Sequence, residues 1–214
     1  MSDAASSPAS ESEAAAEAAV PTRKRPKPGE RRVQILQTLA AMLEQPGSER
    51  VTTAALASRL DVSEAALYRH FASKAQMFEG LIEFIEQTVF TLINQIAERE
   101  ATGPVRASRM VSMLLQFAEK NPGMTRVMVG DALVYENERL QQRMNQLFDK
   151  VEAALRQALR ADAAGDVSAT PTLDAQVRAS VLTAFALGRL QRYARSGFRR
   201  SPSEHLEASL ASML

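Results

Sequence analysis

The sequence predicts an all-α fold, and three observations lead to that prediction. Apolar residues recur at a helical period along most of the chain after residue 29. No stretch shows the strict alternation of apolar and polar residues that is typical of a half-buried strand. Proline, glycine, serine and threonine stand at intervals where helices would begin or end. We therefore expect helices joined by short turns.

The composition favours a cytoplasmic protein. The 214 residues include no cysteine, which excludes disulfide bonds and suits a reducing compartment. No window holds roughly 18 uninterrupted apolar residues, so neither a membrane-spanning segment nor a membrane partner is expected. The alanines near the N-terminus alternate with serine and glutamate and do not form the apolar centre of a secretory signal.

Charge is distributed unevenly along the chain, although the formal net charge is only +1. Residues 1–21 carry a net charge of −4, residues 22–74 carry +5, and residues 75–214 are balanced. A local basic excess favours binding to a polyanion at that segment. A solvated run of charge is the alternative interpretation of the excess taken alone.

The N-terminal part of the chain is predicted to be a disordered tail followed by a helix. Residues 1–29 contain four prolines and few apolar side chains other than alanine, so they cannot bury enough surface to fold. The tail ends in a basic arm, TRKRPKPGERR. The first helix is expected to end at the QPGS sequence of residues 45–48. Its apolar face comprises Ile35, Leu36, Leu39, Met42 and Leu43.

Two short helices follow, at about Thr53–Leu60 and Ser63–Phe71, and the sequence LDVS joins them. Each opens on a hydroxyl side chain that can cap a helix N-terminus. Asp61 stands in the turn, where aspartate tolerates a left-handed backbone, and Ala57 is small where the helices approach. This pattern predicts a helix-turn-helix. Its inward side chains are Leu56, Leu60, Val62, Leu67 and Phe71.

Longer amphipathic helices occupy the rest of the chain. The first runs from about Lys74 to Glu98, and the second starts at Pro104 and stops at the NPG sequence of residues 121–123. Residues 161–171 are expected to form a loop. The apolar positions of the first long helix are Met77, Phe78, Leu81, Ile82, Ile85, Val89 and Ile96. Further helices are predicted at about 124–133, 136–161, 172–197 and 202–213.

The second short helix and the residues after it, SEAALYRHFASK, have side chains suited to a DNA groove. Small alanines let a helix approach base edges, and tyrosine, histidine and lysine can donate to phosphate oxygens. Arg69 suits either a phosphate or a guanine. The candidate DNA-contacting residues are Thr52, Thr53, Ser63, Glu64, Ala65, Ala66, Tyr68, Arg69, His70 and Lys74. An ordinary polar helix face is the alternative interpretation.

The stretch TTAALASRLDVSEAALYRHFASKAQMF closely resembles the DNA-binding segment of TetR-family regulators, which is marked by L-Y-x-H-F-x-x-K. The resemblance implies a three-helix DNA-binding domain, residues 30–75, and a dimerisation and partner-binding domain of about six helices, residues 76–214. It also implies a homodimer on palindromic double-stranded DNA. The helices at 172–197 and 202–213 would form the dimer interface, with Gly188 permitting close contact.

A narrower resemblance, to the nucleoid occlusion factors of that family, extends over most of residues 31–200. It rests on MFEGLIEFIE, EKNPGMTRVMVGDAL and RLQQRMNQLF, in addition to the helix-turn-helix. It implies a nucleoid-associated protein that inhibits assembly of the FtsZ division ring while bound to palindromic chromosomal sites. No cofactor and no small-molecule ligand are expected. The long N-terminal tail and residues 160–172 depart from the pattern.

An FtsZ-binding surface is predicted between the two long helices. Phe84 lies off the apolar stripe of its helix, and an exposed aromatic side chain there would favour a partner. A cation at the rim would suit an acidic tail. The proposed groove comprises Phe84, Leu92, Met113, Gln116, Lys120 and Asn121. Alternatively, Phe84 and Met113 belong to the core and NPG is a plain helix stop.

Two other functions remain as alternatives. A ligand-responsive TetR-type repressor would use methionine and phenylalanine to line a pocket, although methionine at helical spacing is more often core filler. An enzyme is not predicted, because the sequence has no G-x-G-x-x-G, no P-loop and no cysteine nucleophile. His70 and His205 lie in separate domains without metal-ligand spacing. No catalytic or metal site is therefore expected.

Overall fold

In a computed structural model, the chain is described at residues 29–45, 51–161 and 170–214, and these residues form helices and turns only. The prediction of an all-α fold is confirmed. The helices are α1 Glu30–Leu43, α2 Thr53–Arg59, α3 Glu64–Tyr68, α4 Lys74–Arg99, α5 Gly103–Lys120, α6 Pro122–Met128, α7 Glu138–Ala161, α8 Pro171–Arg195 and α9 Leu206–Met213. A 3-10 helix covers Asp131–Leu133. The predicted disordered tail, most of the QPGS turn and most of the 161–171 loop lie outside the described residues.

Helices α1, α2 and α3 pack around one apolar centre. Ile35 and Leu39 from α1 meet Leu56 from α2 and Leu67 from α3, and each of the four is at most 1% exposed. The link between α2 and α3 is the expected tight turn, because Asp61 adopts a left-handed backbone with φ of 54°. The predicted helix-turn-helix is therefore present.

Side-chain caps define the beginnings of the short helices. The hydroxyl of Ser63 accepts a hydrogen bond from Ala66 N at 3.3 Å, as predicted. The cap of α2 is Thr52, which accepts from Ala55 N at 3.2 Å, so the prediction that Thr53 caps this helix is wrong. The reason is backbone conformation: Thr52 is extended, with φ of −98° and ψ of 154°, whereas Thr53 already lies in the helix.

The remaining helices form the larger part of the molecule, in which α4 packs against α5 and α7, and α7 packs against α5 and α8. The buried side chains of α4 are Met77, Phe78, Leu81, Ile82, Ile85, Val89 and Ile93. Predicted Ile96 is only partly buried, since it lies near the exposed end of the helix. In the described part of the chain, no helix combines the length and apolarity needed to cross a bilayer.

The NPG sequence ends α5 as predicted, and it also starts the next helix. Helix α6 begins at Pro122, and a Cβ atom on Gly123 would lie 2.0 Å from the carbonyl oxygen of Ala40. The backbone of α6 therefore rests directly on α1 and connects the two parts of the molecule. The predicted helix 124–133 is wrong in its bounds, because Gly130 adopts a φ of 85° and ends the regular helix.

The C-terminal end also differs from the prediction. Helix α8 agrees with the expected 172–197, but α9 begins at Leu206 rather than near residue 202. Gly197, Phe198 and His205 adopt positive φ angles of 63°, 63° and 52°, which interrupt helical geometry. Helix α9 is consequently only eight residues long.

Candidate nucleic-acid interface

The outer face of α3 is open to solvent. Ser63, Glu64, Ala65, Tyr68 and Arg69 are exposed, while Ala66 and His70 are half-buried. Tyr68 is 45% exposed, which is high for an aromatic side chain. The exposed set combines small side chains with hydrogen-bond donors, and this combination suits an approach to base edges and phosphates.

The N-terminus of α2 lies beside the start of α3, at one end of this face. Thr52 is exposed, and Thr53 is half-buried. Thr53 Oγ1 donates a hydrogen bond to Glu64 Oε2 at 2.6 Å. Two predicted DNA contacts are thus hydrogen-bonded to each other, and this contact holds the start of α3 against α2.

The opposite end of α3 is held by Arg32, which the sequence-based prediction did not single out. Arg32 Nη1 donates to the carbonyl oxygen of His70, and the guanidinium lies 4.2 Å from the centre of the Phe71 ring. Because α3 has only five residues, these contacts set its angle on α1. No local sequence signal identifies Arg32, since the residues it contacts lie 38 and 39 positions away.

Lys74 is a predicted DNA contact whose charged group is already paired. Its ammonium forms an ion pair with Glu136, and only 26% of its side chain is exposed. It also lies 5.7 Å from the centre of the Phe78 ring. A phosphate would therefore have to compete for this ammonium.

Much of the basic excess of residues 22–74 comes from residues that the structure does not describe. Five of the ten basic residues between positions 22 and 74 fall outside the described residues: Arg23, Lys24, Arg25, Lys27 and Arg50. The face of α3 itself carries one arginine and one glutamate among its exposed side chains. Long-range attraction to a polyanion would therefore come mainly from the flanking segments.

A second candidate surface lies between α4 and α5. A cleft of about 280 Å³ is lined by three predicted residues, Leu92, Met113 and Gln116. Phe84 is 47% exposed, so the alternative that it belongs to the core is wrong. Met113 is half-buried and packs partly against the core.

The other predicted members of the groove do not line the cleft. Lys120 is exposed at the end of α5. The side-chain amide of Asn121 donates to the carbonyl oxygen of Phe117 at 2.7 Å, which gives Asn121 a role in ending the helix. Phe84 and Lys120 belong to the same pair of helices as the cleft, and Asn121 follows directly after α5.

Two arginines of the cleft were missed. Arg99 and Arg109 line it, and Arg109 Nε lies 3.6 Å from Glu100 Oε1. Helical spacing could have identified Arg109, because it lies four residues before Met113 and seven before Gln116. The cleft lining therefore combines apolar side chains with two arginines and the carboxylate of Glu100.

Helix α8 exposes an apolar stripe. Leu173, Val177 and Val181, spaced by four residues, are 57%, 53% and 46% exposed. Gly188 lies farther along the helix, with open space around the position of a side chain. An uncovered stripe of this kind is typical of a protein interface. The helix was predicted, but its period-four stripe was not noted.

The comparisons with known proteins agree with this geometry. Residues 35–81 match the family model for bacterial regulatory proteins of the tetR family, and residues 102–213 match the SlmA-like model of a tetracyclin repressor-like C-terminal domain. The fold resembles that of a TetR transcriptional regulator from Legionella pneumophila, with a TM-score of 0.68 and 13% identity over 90% of this chain and 100% of that chain. The fold and the helix-turn-helix thus define a TetR-type DNA-binding regulator.

Two curated relatives narrow the family. The nucleoid occlusion factors SlmA of Idiomarina loihiensis and Photobacterium profundum are each 50% identical to this chain over 178 residues, which cover 83% of this chain and 90% of each relative. The chain belongs to the SlmA family of nucleoid occlusion factors.

Proposed function

We propose that the protein is a nucleoid occlusion factor. In this proposal it binds palindromic double-stranded DNA as a homodimer and inhibits assembly of the FtsZ ring over the nucleoid while bound. The observation that carries the proposal is the 50% identity to proteins named for nucleoid occlusion, which spans both the helix-turn-helix and the α4–α5 cleft.

The DNA-binding half of the proposal is supported by the exposed face of α3. Its small and donating side chains fit a major groove, and Thr52 stands at the adjacent N-terminus of α2. Anisotropy of a labelled duplex carrying a palindromic site measures the affinity. Since phosphate contacts depend on salt, the affinity should fall steeply as salt is raised.

The apolar stripe on α8 supports the homodimer, and we infer that a second copy covers it. Helix α9 adds only eight residues, so α8 would supply most of the interface. Val177→Glu places a charge in that interface and should yield monomers by sedimentation, with weakened DNA binding. Val105→Glu is the matched control, because Val105 is 43% exposed on α5, away from the stripe. A Val177→Glu protein that stays dimeric would refute this interface.

The cleft between α4 and α5 supports binding of a tail from FtsZ. Phe84 offers an aromatic anchor on the same pair of helices, and Lys120 and the cleft arginines would attract acidic residues. The stripe of Phe84, Leu92, Met113 and Gln116 would bury an apolar face of the partner. Asn121 would keep the end of α5 in place through its hydrogen bond to Phe117.

FtsZ polymerisation tests the whole proposal. Light scattering is recorded with FtsZ alone, with the protein, and with the protein plus a short palindromic duplex at fixed salt. Suppression that requires the duplex is the expected result. Absence of suppression in both conditions, with DNA binding intact, would contradict nucleoid occlusion.

A single substitution separates the two surfaces. Phe84→Ala should abolish most of the effect on FtsZ and leave DNA affinity unchanged, because interface anchors often contribute about 2 kcal/mol or more. Val105→Ala is the control, since Val105 is a large apolar side chain that is 43% exposed outside the groove. Equal loss of DNA binding and FtsZ inhibition in Phe84→Ala would argue against a separate partner surface.

A further inference from the structure

Three ion pairs connect α4 with α7 and with the turn that precedes α7. They join Lys74 to Glu136, Glu79 to Arg139, and Glu86 to Arg143. Because the partners follow the same order in both segments, α4 and α7 run in the same direction along this edge. We call these three contacts the α4–α7 ladder. Two further ion pairs, Arg109–Glu100 and His205–Glu204, join residues nine and one positions apart.

The contact between Glu86 and Arg143, which is the farthest of the three from the start of α4, holds α7 against α4. Arg143 donates two hydrogen bonds to Glu86, at 3.3 Å and 2.5 Å, and both side chains are largely covered. The hydrogen bonding of Arg143 to the Glu86 carboxylate is the main cause of the raised pKa of Arg143. This contact lies just over three helical turns from the start of α4 and fixes the register of α7 on α4.

The contact between Lys74 and Glu136, at the start of α4, differs because Lys74 belongs to the predicted DNA-contacting set. Lys74 is the first residue of α4 and lies four residues after His70. Its partner Glu136 has a side chain that is only 10% exposed. A largely covered carboxylate is costly without a cation, and the Lys74 ammonium supplies that cation.

The segment that carries Glu136 has few other anchors. Glu136 lies in the turn between the 3-10 helix and α7, and the two preceding residues, Val134 and Tyr135, are 65% and 68% exposed. One backbone hydrogen bond, from Glu136 N to Leu133 O at 3.0 Å, ties the turn to the 3-10 helix. The contact with Lys74 is therefore a main link between this turn and α4.

We propose that Glu136 sets the DNA affinity of the protein by holding Lys74 in the free state. A DNA phosphate competes with the Glu136 carboxylate for the Lys74 ammonium, and the exchange releases the turn at residues 134–137 from α4. This inference rests on the DNA-binding function proposed above. It adds a route by which DNA occupancy reaches the C-terminal part of the molecule, since the released turn leads directly into α7.

Duplex binding by four full-length proteins tests this competition. Wild type, Glu136→Gln, Lys74→Met and the double variant are titrated against a labelled palindromic duplex over a range of salt concentrations. Glu136→Gln should bind at least about threefold more tightly, because an ion pair no longer competes with the phosphate. Its plot of log affinity against log salt should be steeper by about 0.9 for each subunit, the slope of one added phosphate contact. Lys74→Met should cancel the gain.

Glu79→Gln is the matched control. It removes another contact of the same ladder, that with Arg139, and neither Glu79 nor Arg139 belongs to the predicted DNA-contacting set. It should leave both affinity and salt slope at wild-type values, and thermal melting of each variant reports folding. Equal gains in Glu79→Gln and Glu136→Gln would overturn a role specific to Lys74.

Two further results would overturn the proposal. One is an unchanged or weakened affinity in Glu136→Gln while the wild type binds DNA normally. The other is unchanged or slower hydrogen exchange at residues 134–137 of the wild type when DNA is added, because release of the turn should accelerate exchange there. This second measurement needs no variant, so it tests the proposal even if Glu136→Gln folds poorly. Failure of the wild type to bind duplex at low salt would contradict DNA binding itself and this proposal with it.

Discussion

The second helix of the helix-turn-helix, α3, and the long helix α4 are positioned in different ways. Helix α3 has five residues and is held by nearby contacts, namely the Ser63 cap and the Thr53–Glu64 hydrogen bond, with Arg32 as a single distant support. Helix α4 has 26 residues and is held along its length by α5 and α7, through buried apolar side chains and the α4–α7 ladder. A function of α3 can therefore be predicted from the local sequence. Surfaces on α4 depend on helices far along the chain that pack against it.

The largest expected effect is a loss of stability at the contact between α6 and α1, which connects the helix-turn-helix to the rest of the molecule. Gly123→Ala would place a methyl group 2.0 Å from the Ala40 carbonyl oxygen, and both groups are backbone-fixed. We expect a loss of about 3 kcal/mol or more in the free energy of unfolding, because overpacking against backbone forces helices apart. Urea denaturation measures it. Gly80→Ala is the control, since the nearest atoms to a Cβ there belong to the flexible side chain of Leu36, at 3.1 Å and 3.2 Å. A stable Gly123→Ala protein would mean that α6 does not rest on α1.

The next effect tests whether α3 depends on its distant support. Arg32→Ala removes the hydrogen bond to the His70 carbonyl and the contact with Phe71, and should weaken DNA binding by about 1–2 kcal/mol. Arg31→Ala is the control, because Arg31 contacts only Gln34 within its own helix, at 2.8 Å. Similar losses in both variants would indicate general charge attraction instead of helix positioning. Duplex anisotropy at two salt concentrations distinguishes these outcomes.

A smaller effect compares the caps of the two helices. Ser63→Ala and Ser73→Ala each remove a side-chain cap and should each cost about 1 kcal/mol of stability. Only Ser63→Ala should also reduce DNA affinity beyond that shared loss, because a five-residue helix cannot keep its first turn without the cap. Equal DNA affinity in the two variants would contradict the local positioning of α3.

The smallest effect concerns pH and the contact between α8 and α5. Burial raises the pKa of Tyr193, and the charges of Glu119 and Glu44 raise it further. Since the folded protein resists ionisation of this phenol, its stability should fall as pH rises above about 10, the ordinary tyrosine value. The stability of Tyr193→Phe should fall less steeply with rising pH in the alkaline range. At neutral pH the variant should be less stable than the wild type by about 1 kcal/mol, because it lacks the hydroxyl that donates to the Glu119 carbonyl at 3.1 Å. Parallel alkaline curves for the two proteins would exclude Tyr193 as the titrating group.

Local sequence determined the helices and the helix-turn-helix of this protein. Apolar spacing placed the inward side chains Leu56, Leu67 and Phe71, and Asp61 marked the turn, because helix period and turn conformation depend on residues a few positions apart. Exposure of Phe84 was also correctly predicted from its position off the apolar stripe. Helical spacing also places the exposed apolar residues of α8 on one face and Arg109 beside the cleft, although neither feature was predicted.

Only the tertiary structure decided how these elements meet. It showed Lys74 paired with Glu136, Arg32 supporting the end of α3, and Gly123 pressed on the backbone of α1. It also separated the residues that line the cleft from Lys120 and Asn121. The physical reason is distance along the chain: Lys74 and Glu136 are 62 residues apart, and the packing of whole helices sets such contacts. Helical periodicity tells which face of a helix turns inward, but it does not tell which distant charge that face will meet.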